Sequence, residues 1–567
     1  MAQAMVDKSI VGVEREETDE EEEETNEEEE RGMRKKEEDR ERWGYAKKRP
    51  PPKPFPPLPW PELVFYFVSF WAGCLYSLLR FYRTSQRWGQ YLHVTQVPAK
   101  GLWWGGWWFG GVEQVRQDQT DWEWYVWVPI LLSYAPLGLL HVLLAQAVRR
   151  FCPQYLCGFY IGFSLCIMLA LIGRVGTVLC LSVPAIMFVV LLTRLKLLVW
   201  LTWCLILILI NTQYFNTTLV AWVEDAPEWE YKISVMVAWI ILRSLSFSLE
   251  VCDADPDGSA PHASLLITLL GYCLYLPFLC TGPYMPYTDF RAGLSEPYRG
   301  WTIRKLGWTV LQVLRFLLWM GLANFLLFHF YAHSLHYMPE LVKRMNSWSM
   351  AGFVYFLAAF MLLKYVVLYG LPSVLARLEG YEPPSHPRCT LMTYRMSDVW
   401  REFDHGLYRF MLKHIYIPWV GTDTSLYRQL QGTALVFTFV YVWHGVSAPI
   451  FWWSAINFFG VVVEKAGDSI ARTPHFKAWE VRWLPGAWQR RFHGLLAVGL
   501  YVPSLASLTI FLSSLENAQT VTDRIFFSGF PQCTATMFFF MFCLGQCSME
   551  LQNWKMQLKQ NTRPKLS

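Results

Sequence analysis

The sequence predicts an all-α polytopic membrane protein, and three observations carry that prediction. Of 567 residues, 53% are hydrophobic and only 17% are charged, against about 25% charged in a typical soluble domain. The mean hydropathy is positive, at +0.20. Apolar runs of the ~20 residues needed to cross a ~30 Å hydrocarbon core recur from Leu63 to the carboxyl end. Together these exclude a disordered scaffold, a small secreted disulfide module and an ordinary soluble enzyme. Nucleic acid is not an expected partner, because no basic face or RNA-binding motif accompanies the weakly positive charge of +4.

Charge divides the chain. The first 60 residues hold 18 acids and 12 bases, which leaves 28 acids and 38 bases for all the rest. The blocks Glu20–Glu24 and Glu27–Glu30 repel themselves and cannot build a core. A proline-rich stretch, KKRPPPKPFPPLPW, reads as a stiff extended spacer leading to the membrane, with an SH3-type ligand as the lesser alternative. We therefore expect a disordered acidic, then proline-rich tail over 1–60, a transmembrane body over 61–550 and a short basic tail over 551–567. The first apolar run starts too late for a cleaved signal peptide and reads as a signal anchor.

Within the body the apolar runs lie near 63–82, 124–147, 155–173, 175–193, 197–213, 232–250, 262–281, 307–330, 350–372, 431–447, 449–464, 494–514 and 533–548. Several are short or interrupted, which puts the expected count at about ten to twelve transmembrane helices. The 262–281 run ends in YLPFLCTGPYMPYTDF, where Pro277, Gly282, Pro283 and Pro286 break a helix. Broken backbone at membrane depth is tolerated only where protein or a wet cavity satisfies it, so this segment reads as re-entrant. Gly101–Gly111, with Trp103, Trp104, Trp107 and Trp108, is too short to span and reads as an interfacial anchor. Arg149, Arg150, Arg194 and Lys196 mark cytoplasmic loops, and a cytosolic amino terminus reconciles them. The sequon at Asn216-Thr217-Thr218 then faces the lumen, close to the membrane edge.

Few residues in this body can carry chemistry. The thirteen cysteines are scattered, many inside apolar runs, with no zinc spacing among them. The stretch from about Arg377 to Leu430 is the most polar and reads as amphipathic or re-entrant helices. Just after it, His444 stands in an apolar run. An ionisable group at membrane depth is costly and by default marks a site facing a cavity; the alternative is a His satisfied by a backbone carbonyl, and the two readings stand about even. Asp404, in FDHGLYRF, is a second candidate, with a helix amino-cap or an ion pair to Arg401 or Arg409 as its plain reading. Asn457, in SAIN, is a third; a buried Asn is usually a packing hydrogen bond.

At these residues the sequence resembles the membrane-bound O-acyltransferases. VYVWHGVSAPIFWWSAINFFGVVVE supplies the family's His within an apolar helix, and PRCTLMTYRMSDVWREFDHGLYRF supplies a preceding polar residue, Asp404. RSLSFSLEVC, LPFLCTGPYMPYTDF and YIPWVG extend the likeness, which runs from about Leu63 to the carboxyl end. The resemblance implies that family's fold, with re-entrant segments. It implies His444 and Asp404 as catalytic, Trp400 and Arg401 beside an acyl-CoA, and Cys389 as the ligand of a haem b. Asn457 is possible polar support for the site. It favours the branch that moves palmitoyl from palmitoyl-CoA to the amino-terminal cysteine of Hedgehog-type signalling proteins, as an amide, in the endoplasmic reticulum or Golgi membrane. A different acceptor (a lipid or protein hydroxyl) and a non-catalytic regulator are the alternatives. A related branch lacks the His, and this chain keeps it.

Overall fold

The computed structural model describes residues 54–98, 114–212, 215, 227–423 and 425–561. The acidic tail, the Gly101–Gly111 segment and the Asn216 sequon lie outside them.

The described end of the proline-rich stretch, residues 54–59, is non-helical backbone that is fastened in place. Asn553 holds Phe55 at both backbone groups, accepting its N–H at 2.9 Å and donating to its carbonyl at 3.1 Å. The buried Arg490 donates to the Pro56 carbonyl at 3.4 Å. Helix α1 (Trp60–Trp88) follows, with Glu62 in its first turn and Arg87 in its last, each favourable to the helix dipole. A two-stranded antiparallel hairpin, β1 (Thr95–Pro98) and β2 (Gln114–Gln117), sets Thr95 opposite Gln117.

Helix α2 (Trp122–Phe151) is amino-capped by Asp121, whose side chain accepts the Trp124 N–H at 2.9 Å. Helix α3 (Leu156–Leu191) is bent at Gly173, where φ is +65°. Then come α4 (Lys196–Ile210), α5 (Pro227–Ala254) and α6 (His262–Cys273). Irregular backbone leads to α7 (Tyr287–Ser295) and on to α8 (Ile303–His329), α9 (Pro339–Lys343) and α10 (Ser347–Glu379).

The polar stretch forms α11 (Met396–Phe403), α12 (His405–Met411), a π-type turn and α13 (Ile417–Val420). The last third is α14 (Leu426–His444), α15 (Ala448–Ala471), α16 (Pro474–Trp483), α17 (Ala487–Leu512), α18 (Leu515–Phe526) and α19 (Gln532–Asn561).

The all-α polytopic prediction holds. Among the described residues eight helices are long and apolar enough to cross a membrane: α1, α2, α3, α5, α8, α10, α17 and α19. Ten to twelve were expected, and the physical reasons for the difference are specific. The runs 155–173 and 175–193 are present as expected, as two helical arms that meet at non-helical backbone at Gly173, and stand as one continuous stretch among the eight. α4 and α6 are apolar but short. α14 and α15 carry polar residues and tryptophans among their apolar ones, which dilutes their hydropathy.

The break after α6 falls where the prolines predicted it. Leu274, Tyr275, Leu279 and Tyr284 there are buried. Buried irregular backbone here needs internal partners, and Arg243 of α5, itself 1% exposed, supplies two carbonyls with donors. Its guanidinium donates to the Cys273 carbonyl at 2.9 Å and also to the Phe278 carbonyl. The Tyr272 hydroxyl closes the segment by donating to the Met285 carbonyl at 2.6 Å. One buried apolar cluster gathers α3, α5 and this broken segment; another gathers α1, α8 and α10.

Candidate functional site

A cavity of about 880 Å³ lies between these helices, large for a small-molecule site. Its wall is mostly apolar and aromatic. Along α10 the lining runs from Ser347 to Tyr369. At 1.5 Å per residue that is about 33 Å, the thickness of a bilayer core. Asn346, Arg524 and Gln532 line one end; Tyr394 and Arg395 line the other, where the Phe55 ring packs edge-on against Tyr394 at 5.9 Å. Glu123, Asp404 and His444 also line the wall.

His444 is the last residue of α14, and the next residue, Gly445, takes φ +110°, which ends the helix there. The His444 side chain is exposed, and it lines the cavity. Its ring stands edge-on to Trp453 at 5.0 Å and to Phe511 at 5.6 Å. Among the described residues no hydrogen bond holds its nitrogens. The plainer of the two sequence readings, a backbone carbonyl that satisfies this histidine, is not found among the described residues.

Trp400 and Asn457 meet beside it. The Trp400 indole N–H donates to Asn457 Oδ1 at 3.1 Å, and the Asn457 amide donates back along α15 to the Trp453 carbonyl at 2.8 Å. Trp400 packs on Trp453 at 5.5 Å, and Trp453 stacks on Phe511 at 4.4 Å. The packing-hydrogen-bond reading of Asn457 is therefore what the structure contains, and the group it holds is a cavity-wall indole.

Asp404 sits between α11 and α12. Its Oδ1 accepts the Leu407 N–H at 2.8 Å, an amino-cap, and its Oδ2 accepts the Tyr369 hydroxyl at 3.1 Å. Neither arginine suggested from sequence is its partner: Arg401 pairs with Asp398 at 2.9 Å and Arg409 with Asp289 at 2.5 Å. Asp404 lies outside the spanning helices. Burial raises its carboxyl above the usual range, while the Leu407 and Tyr369 hydrogen bonds pull it back down. Among the described residues no hydrogen bond joins Asp404 to His444.

Two expected residues stand apart from the wall. Arg401 is exposed, its guanidinium over the Tyr408 ring at 5.9 Å, and it does not line the cavity. Cys389 is an exposed free thiol; its neighbours Thr390 and Leu391 line the cavity. An accessible thiol beside an apolar space fits the donor chemistry of a haem iron ligand. Sequence reasoning missed Tyr369, Trp453 and Phe511. Tyr365 and Tyr369 did leave a signal, as polar residues one turn apart beside Lys364 in an apolar run.

The fold and the cavity define a multi-pass membrane protein with titratable groups gathered inside an apolar chamber. The model of the MBOAT, membrane-bound O-acyltransferase family, matches residues 180–507. The chain belongs to that family and is a membrane-bound acyltransferase. It is similar to the protein-cysteine N-palmitoyltransferase Rasp of Drosophila melanogaster, with 30% identity over 86% of this chain and 94% of that one. It is also similar to two mouse proteins. The protein-cysteine N-palmitoyltransferase HHAT is 29% identical over 77% of this chain and 88% of that one. The HHAT-like protein is 27% identical over 76% and 84%.

Proposed function

We propose that this protein transfers palmitoyl from palmitoyl-CoA to the amino-terminal cysteine of a Hedgehog-type signalling protein, forming an amide. The carrying observation is His444, exposed in an apolar cavity lined over the thickness of a bilayer, with no hydrogen-bond partner for its nitrogens among the described residues. A cytosolic thioester and a lumenal amine need such a passage. The names of the Rasp and HHAT relatives support a palmitoyl donor and a protein-cysteine acceptor.

The chemistry follows from these groups. The amine attacks the thioester carbonyl, a tetrahedral oxyanion forms, and its collapse expels the CoA thiolate. A neutral His444 accepts the proton that the amine loses and returns it to the thiolate. Asp404 assists by orienting groups at the wall. A thioester on the acceptor cysteine, followed by an S-to-N shift, gives the same amide. Trp400 bounds the acyl-chain space, and Arg401, outside the wall, meets CoA phosphates at the cytosolic mouth. Cys389 would hold a haem b through its thiolate. The haem has no step in the transfer, which moves no electrons.

The setting we assign is the endoplasmic reticulum or Golgi membrane with a cytosolic amino terminus. Residues 1–60 form the tail, 61–550 the acyltransferase body and 551–567 a basic end. The test is transfer by purified protein from palmitoyl-CoA to a peptide with a free amino-terminal cysteine. We expect transfer that His444→Ala abolishes while haem absorbance persists, and none to an amino-acetylated peptide. Equal transfer to the acetylated peptide would move the acceptor to a hydroxyl or a thiol. No transfer by well-folded wild-type protein would move the reading to a non-catalytic relative.

A further inference from the structure

The broken segment after α6 reaches the site through one side chain. Tyr369 of α10 is 5% exposed, and its ring lies against Gly282 in the irregular turn. A methyl group built on Gly282 would stand 2.5 Å from Tyr369 Cε1 and 2.6 Å from Cζ. Those distances are far inside van der Waals contact, so this ring position requires glycine at 282. Trp239 closes the other side, edge-on to Tyr369 at 6.4 Å and to Trp443, the residue before His444, at 6.2 Å. The ring is thus set by the broken segment, and its hydroxyl donates to Asp404 Oδ2 at 3.1 Å.

Asp404 needs that bond. Its amino-cap bond uses Oδ1 and comes from its own local turn. That turn, through the Leu407 and Gly406 N–H groups, holds the carboxylate from its own side only. The Tyr369 bond, from a different helix, fixes the carboxylate plane at the cavity wall.

We propose that Tyr369 is a positioning residue for acyl transfer: packed against Gly282, its hydroxyl holds the Asp404 carboxylate in its working orientation. The proposal rests on the role given to Asp404 above. It gives the LPFLCTGPYMPY stretch a function, which is to leave room for the ring that orients the acid.

The experiment is a double-mutant cycle on full-length purified protein, with palmitoyl-CoA and the free-amine peptide: wild type, Tyr369→Phe, Asp404→Asn and the pair. We expect Tyr369→Phe to lower kcat about tenfold, the scale of one hydrogen bond to a charged group, with both KM values within about twofold. In the Asp404→Asn background the same change should alter kcat by less than about twofold, because coupled residues are not additive. A generally loosened wall would instead raise KM and would act equally in both backgrounds. Wild-type kcat in Tyr369→Phe, or an equal loss in both backgrounds, overturns the proposal. A damaging Asp404→Asn beside a silent Tyr369→Phe overturns it alone; a silent Asp404→Asn overturns it together with the role of Asp404.

Discussion

An imidazole exposed to an apolar chamber keeps its nitrogens free for whatever enters the space beside it. His444 is in that position, and its aromatic neighbours orient it by edge contacts without using its nitrogens. Trp400 is held differently, by a side-chain hydrogen bond from 57 residues away. Asn457→Ala removes that acceptor and leaves a half-buried indole N–H without its partner, at a cost of about 1 kcal/mol. We expect a loss of about tenfold in kcat/KM for palmitoyl-CoA, read from initial rates; an unchanged value would mean that the indole's placement does not matter to the donor. His444 and Asp404 were legible in the sequence because ionisable groups in or near apolar runs are conspicuous. Trp453, Phe511 and Tyr369 were not, because an aromatic residue in an apolar run is indistinguishable from packing until its through-space neighbour is known.

Elements were legible where chemistry punctuates the chain. Prolines and Gly282 announced the broken segment, and the polar stretch announced α11 and α12. Gly173 marked a boundary as well: the runs expected at 155–173 and 175–193 are two helical arms that meet there, at φ +65°. The partner of the broken segment was hidden, since Arg243 lies 30 residues before the Cys273 carbonyl it satisfies. Arg243→Met would leave the Cys273 and Phe278 carbonyls without that donor in a buried setting, at about 1–3 kcal/mol for each unsatisfied group. A thermal shift in detergent should show a Tm lower by several degrees. An unaltered Tm would mean that other groups or water already satisfy those carbonyls. The proline-rich entry gave the opposite surprise. Read from sequence as a spacer, it is clamped at Phe55 by Asn553 and at Pro56 by Arg490, side chains whose identity alone gave no hint of that contact.

At the scale of the whole molecule the wall of the cavity is the argument. A crossing of the bilayer by a donor and an acceptor from opposite sides needs two mouths and one reacting centre between them. The lining offers Arg524 and Gln532 at one end, Arg395 and Tyr394 at the other, and His444 with Asp404 on the wall. The sequence predicted a membrane body but could not show this, because a passage is made by helices far apart in the chain. The assigned orientation turns the geometry into a measurement. With a cytosolic amino terminus, Phe55 and its neighbour Tyr394 belong to the cytosolic mouth, and α1, leaving that side, places the Asn346 and Gln532 end in the lumen. In a cysteine-depleted background, Cys533 restored alone should react with an impermeant maleimide only when sealed microsomes are opened. Thr393→Cys should react from outside in intact ones, and excess palmitoyl-CoA should slow that reaction. Reversed sidedness would invert the donor and acceptor mouths, and reaction of both positions from one side would mean that the cavity does not connect the two faces of the membrane.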